Sequence, residues 1–163
     1  MKPSTYPVLL VALLLFLSDC TSSNRPENNL EANRELIRRY HQVWSDGHVS
    51  ALDSILAPDF VYHFLGGMEY NGIAGGKNFI NSHRTSFPDW KEEIVDMVAE
   101  NDRIVTRYKS TGTHRGTFNG LDSTGRKIMI SETSVYRIAN GKLAEQWGFP
   151  DVMSLDNQLR AKK

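Results

Sequence analysis

One cysteine, Cys20, occurs in 163 residues, so no intramolecular disulfide can form. Neither charge sign is in excess: 19 Lys and Arg balance 19 Asp and Glu. That balance offers no basic face for nucleic acid and no acidic tail. The apolar run at residues 8–17 is too short to cross a bilayer as a helix. No His-Glu-x-x-His spacing occurs among the five histidines, and no metal is expected. Gly-x-Ser-x-Gly, P-loop and dinucleotide fingerprints are missing as well. "GGMEYNGIAGG" is rich in glycine but lacks their spacing, and no cofactor is expected.

The apolar run at residues 8–17, after Lys2, suits the core of a signal peptide spanning residues 1–20. It ends in "LSDC", which resembles the lipobox of bacterial lipoproteins. There Cys20 would become the lipidated first residue, although Asp19 stands where that pattern prefers a small one. The resemblance implies export and a membrane tether through Cys20. Residues 21–29 are polar and read as a flexible tether. Residues 30–158 read as one domain, with 159–163 as a tail. Hydrophobic residues make up 40% of the chain and aromatic residues 10%, enough for a core.

Leu30, Asn33, Ile37, Tyr40 and Trp44 recur at helical spacing, and "SDG" stops that helix. A short second helix carries Val49, Leu52, Ile55 and Leu56 and cannot continue past Pro58. "DFVYHFL" reads as a strand, "GGMEYNGIAGG" as a loop, and residues 77–87 as a third helix. Four strands follow. Asn140-Gly141 predicts a two-residue type I′ hairpin between the last two. The order predicts an α+β domain with helices packed on one face of a curved antiparallel sheet.

The final strand contains "AEQWGFPD". Alternation places Leu143, Glu145, Trp147 and Phe149 on one face and Ala144, Gln146 and Gly148 on the other. The first set is an apolar face suited to a homodimer. The second is small and leaves room at Gly148.

Five stretches resemble the SnoaL-like polyketide (ester) cyclases. They are "YHQVWSDGHVSALDSILAPDFVYH", "FINSHRTSFPDW", "STGTHRGTFNGLDSTGRKI", the Asn140-Gly141 hairpin and "AEQWGFPD". The resemblance covers about residues 35–155. It implies a cone-shaped domain of the nuclear-transport-factor-2-like superfold, with a pocket between helices and sheet. Such a superfold hosts isomerases, dehydratases, cyclases and binding domains, so it does not decide the function. The family's cyclases use a pocket Asp as general acid/base within a Glu-His-Trp-Asp pattern. This chain has Glu145-Gln146-Trp147-Gly148. Gln146 replaces the His and Gly148 the Asp, and neither can exchange a proton near neutral pH.

The resemblance leaves two functions open, beside a third reading in which the apolar outer face makes the domain a dimerising structural or interaction module. One is a binding domain for a small, largely apolar molecule. The other is a proton-transfer enzyme using Glu132, His63 or Asp151 in place of the missing Asp. Glu132 shares parity with Ser134 and Tyr136. It is either a pocket carboxyl of raised pKa or an exposed or salt-bridged strand residue, with Arg107 and Lys109 on the neighbouring strand as partners. His63 is either a proton carrier or a hydrogen-bonded strand histidine. Asp151 follows Pro150 and would sit at the pocket mouth. Trp44, Tyr108, Ser134, Gln146 and Gly148 are the expected pocket residues. His114 is expected to cap its hairpin, His83 to lie in the core or at the rim, and His41 and His48 to be solvated.

Overall fold

The computed structural model describes residues 26–161. The signal segment and Cys20 lie outside them. Helix α1 (Pro26–Asp46) begins four residues before Leu30, within the stretch expected to be a tether. Proline is tolerated in a first helical turn because its missing N–H has no partner to lose there. Leu36, Ile37, Tyr40, Val43 and Trp44 form its buried stripe. On its exposed side Arg38 pairs with Glu31 and Glu35.

The second helix is shorter than its periodicity suggests: a 3₁₀ turn (Val49–Ala51) and one helical turn, α2 (Leu52–Ile55). Strand β1 (Leu56–His63) starts at once, because Pro58 cannot continue a helix and pushes Ala57 before it into extended backbone. "GGMEYNGIAGG" is not a plain loop. It holds a 3₁₀ turn (Leu65–Gly67), a three-residue strand β2 (Glu69–Asn71) and the start of α3 (Gly72–Ser86). Gly76 lets α3 approach β1 closely, since a Cβ there would stand 2.9 Å from Leu56 Cδ1.

The remaining strands are β3 (Lys91–Glu100), β4 (Arg103–Thr113), β5 (Lys127–Ala139) and β6 (Lys142–Pro150). Asn140 and Gly141 both have positive φ, 51° and 70°, as the type I′ hairpin requires. A last helix, α4 (Val152–Arg160), has no counterpart in the sequence reading. It buries Leu155 and Leu159, so the domain continues past residue 158 into the stretch read as a tail.

The sheet is curved and unclosed, in the order β2-β1-β6-β5-β4-β3. It is mixed rather than wholly antiparallel, because β1 pairs parallel with β6. Helix α1 packs on β3 and α3 on β1, leaving a hollow between the helices and the concave face.

Alternation in β6 breaks once. Arg137 pairs with Glu145, but the next residue, Ile138, pairs with Leu143, which leaves Ala144 as a bulge. Leu143 therefore turns into the core and is fully buried, not on the outer face with Trp147. From Glu145 onward the register is regular through Gly148.

Candidate functional site

The concave face is built by register. Glu92 of β3 stands opposite Ser110 of β4. Tyr108 stands opposite Glu132 and Thr106 opposite Ser134. Ser134 in turn faces Gly148, and Tyr136 faces Gln146, whose parallel neighbour is Tyr62. With helices α1, α3 and α4 and residues 117–121, this face encloses a cavity of about 880 Å³.

Eight of the thirty residues lining the cavity are Phe, Tyr or Trp. Tyr70 stacks on Phe79 at 4.0 Å between ring centroids, and Tyr62 and Phe64 pack edge-on or tilted around the same ring. Trp44, Tyr108, Glu132 and Gln146 all line the space. Ser134 does not. It is fully buried behind the wall, its Oγ 3.1 Å from Tyr108 Oη and 3.3 Å from Gln146 Nε2. Gln146 Oε1 also accepts a hydrogen bond from Tyr40 Oη at 2.7 Å. Gln146 is thus locked by both ends of its amide.

Gly148 is covered, not open. A Cβ there would lie 2.2 Å from Tyr62 Oη and within 3 Å of two ring carbons. The Tyr62 ring fills the volume that a side chain at position 148 would need.

Two expected catalytic candidates stand elsewhere. In β1, Phe60 and Tyr62 have the inward parity, so His63 points outward. It stacks on Trp147 at 5.0 Å, with Nδ1 2.9 Å from Glu69 Oε1. Asp151 is the N-cap of α4, accepting the Ser154 N–H at 2.9 Å. That hydrogen bond ties its carboxylate to the helix end.

Glu132 is the carboxyl of the wall between Tyr108 and the β6 end. Its suggested partners are absent: Arg107 lies on the outer face and pairs with Asp96, and Lys109 shares that outward parity. Burial pushes the Glu132 pKa up to about 8, and the charge of Glu92 adds to the rise. The Ser110 and Tyr108 hydroxyls favour the anion and oppose the shift. Neither makes a well-aligned hydrogen bond to it. Among the described residues, Glu132 Oε1 and Ser110 Oγ are both buried without a partner.

Two residues of this site, His41 and Glu92, escaped the sequence reading. His41 is buried, not solvated; its Nδ1 lies 2.5 Å from Glu92 Oε2. Its Nε2 lies 3.0 Å from Tyr136 Oη and 3.2 Å from Thr106 Oγ1. Glu92 also accepts from Trp90 Nε1 at 3.2 Å. The signal for Glu92 was its parity with Ile94 in "KEEIVD". The signal for His41 was weaker, since it neighbours the stripe residue Tyr40. His83 lines the cavity among Trp44, Phe87 and Trp90, with Nε2 buried and unpartnered among the described residues. Burial, aided by Arg84, lowers its pKa to about 4 and keeps it neutral. His114 is fully buried, with Nδ1 3.1 Å from Thr124 Oγ1, inside its hairpin.

Among the described residues, no group of three His, Cys, Asp or Glu is gathered as a metal site would need. No described helix is long and apolar enough to cross a membrane.

Comparison with known proteins agrees with this architecture. No curated relative matches the chain significantly. Solved structures do. One described as a SnoaL-like polyketide cyclase from Jannaschia Sp. CCS1 is 20% identical with a TM-score of 0.76, over 82% of this chain and 94% of that one. TsrD from Streptomyces laurentii is 23% identical with a TM-score of 0.73, over 81% and 97%. A protein described as a polyketide cyclase from Acidithiobacillus ferrooxidans is 31% identical with a TM-score of 0.70, over 79% and 94%. Residues 34–159 match the family model described as SnoaL-like polyketide cyclase. With the helices, the curved mixed sheet and the enclosed cavity in place, the chain belongs to the SnoaL-like polyketide cyclase family.

Proposed function

We propose that this protein binds a small, largely apolar, oxygen-bearing molecule in its aromatic cavity and moves a proton at it through Glu132. No cofactor is required, and no carboxylate at position 148 takes part. The observation that carries this reading is a buried carboxyl in an aromatic wall whose pKa is raised to about 8. Near neutral pH such a group is largely protonated and acts as a general acid. As its anion, it is a general base in a dry site. The family's name makes ring ketones of polyketide type the first candidates.

The test uses β-tetralone, an apolar ketone with exchangeable protons beside its carbonyl. In D₂O near pH 8, the Glu132 midpoint, the protein is expected to speed deuterium entry. Glu132→Gln is expected to lower that rate by about 10²–10⁴. An unchanged rate in Glu132→Gln overturns the assignment.

A second reading, binding without chemistry, is favoured by the locked Gln146 amide and by Tyr62 lying over Gly148. Tetralone bound with no exchange above buffer would select it. For the segment before the domain, we propose export and lipidation at Cys20. Cys20→Ser is expected to move the protein from the membrane to the soluble fraction, and unchanged membrane association refutes it.

A further inference from the structure

Glu92 and His41 are buried beside the cavity and have no part in the reaction proposed for Glu132. Glu92 borders two spaces. It lines the main cavity, and it also lines a separate groove between α1 and β3, together with His41 and Gln42. The charged residues at the groove are already engaged: Arg38 with Glu31 and Glu35, and Asp96 with Arg107. The Glu92 backbone N–H donates to Ser45 Oγ at 2.9 Å. Trp90 and His41 hold the two oxygens of its carboxylate. The group is therefore fixed between the cavity and the groove.

Toward the cavity, Ser110 stands directly across from Glu92 and one diagonal step from Glu132. Its Oγ and Glu132 Oε1 are both buried without partners among the described residues. A hydroxyl in that place can accept one proton while giving up another.

We infer that Glu92, held by His41, relays protons between Glu132 and solvent through the groove between α1 and β3, with Ser110 as the connecting hydroxyl. The inference rests on the proton-transfer reading of Glu132. When Glu132 has given its proton to the ligand, Ser110 passes its own proton to Glu132 and takes one from Glu92. Glu92 is reloaded from groove water or from His41. A proton taken up by Glu132 leaves by the reverse steps. Only O–H and N–H bonds form and break, and one proton crosses for each one exchanged. The relay lets Glu132 reset while a ligand fills the cavity.

The experiment compares deuterium entry into β-tetralone and tetralone Kd in the wild type, Glu92→Gln, Glu92→Asp and His41→Ala. Glu92→Gln is expected to slow exchange by about tenfold or more. Glu92→Asp, which still carries a proton, is expected to recover most of the rate. Imidazole added to His41→Ala is expected to raise the rate in proportion to its concentration. A purely structural role would move Tm and Kd but would not respond to imidazole. If Glu92→Gln exchanges at the wild-type rate while Glu132→Gln does not, the relay is wrong and the Glu132 reading stands. If the wild type is no faster than buffer, or Glu132→Gln is unaffected, the Glu132 reading fails and the relay fails with it. If Glu92→Gln does not fold, the imidazole response of His41→Ala decides: without it, the relay is refuted.

Discussion

The ring of Tyr62 lies over Gly148, with its hydroxyl 2.2 Å from the place a Cβ at 148 would occupy. Glycine at this position is thus a packing requirement of β1 against β6. Gly148→Ala forces a buried tyrosine to move and is expected to cost about 1–3 kcal/mol, read as a lowered Tm. Gly148→Asp is expected to be worse, adding a buried charge. Tyr62→Ala together with Gly148→Asp is expected to recover stability relative to Gly148→Asp alone. A Gly148→Asp protein as stable as wild type would contradict the packing.

Two cavity groups make stability depend on pH with opposite signs. Glu132 binds its proton more tightly folded than unfolded, so it disfavours folding as pH rises from its ordinary value of 4.5 to about 8. Glu132→Gln is expected to gain on wild type across that window by on the order of a few kcal/mol, with no gain below it. His83 binds its proton more weakly folded, so stability is lost as pH falls from 6.5 toward about 4. His83→Phe is expected to flatten that acid limb. Parallel curves of Tm against pH for wild type and variants would refute both assignments.

Asp151 caps α4 and is expected to serve folding alone. Asp151→Ala is expected to cost about 1 kcal/mol in stability and leave tetralone exchange unchanged. Lost exchange in a folded Asp151→Ala protein would return this residue to the chemistry.

The outer face of the sheet carries an apolar row. Trp147 neighbours Val135, which neighbours Val105, which neighbours Val98. Val98 and Phe149 are exposed. Such a band is expected to pair with that of a second copy. Light scattering is expected to give a dimer at tens of micromolar, roughly the range of a weak interface. Val98→Lys, on an exposed side chain, is expected to give a folded monomer. A wild-type monomer at that concentration refutes the interface.

Local order was legible wherever one element carried its own signal. The stripe of α1, the extent of β3 and the Asn140-Gly141 turn all depend on residues within a few positions of one another. Parity in β5 grouped Glu132 with Ser134 and Tyr136, and only the folded sheet turned that face to the cavity. The α4 helix was hidden because Val152 and Met153 are exposed and only Leu155 and Leu159 are buried, which is too short a pattern to read.

The amino-acid pattern was enough to establish an α+β domain and its family. These follow from residue identity and short-range spacing, which do not change when the chain folds. What stands next to what required the folded chain. The bulge at Ala144 reversed Leu143, and the parallel pairing of β1 with β6 brought Tyr62 over Gly148 and sent His63 outward. The pairing of His41 with Glu92 joins residues 51 positions apart. Bulges, strand order and helix docking are settled by packing over the whole core, and they decide which polar groups meet water and which meet the cavity.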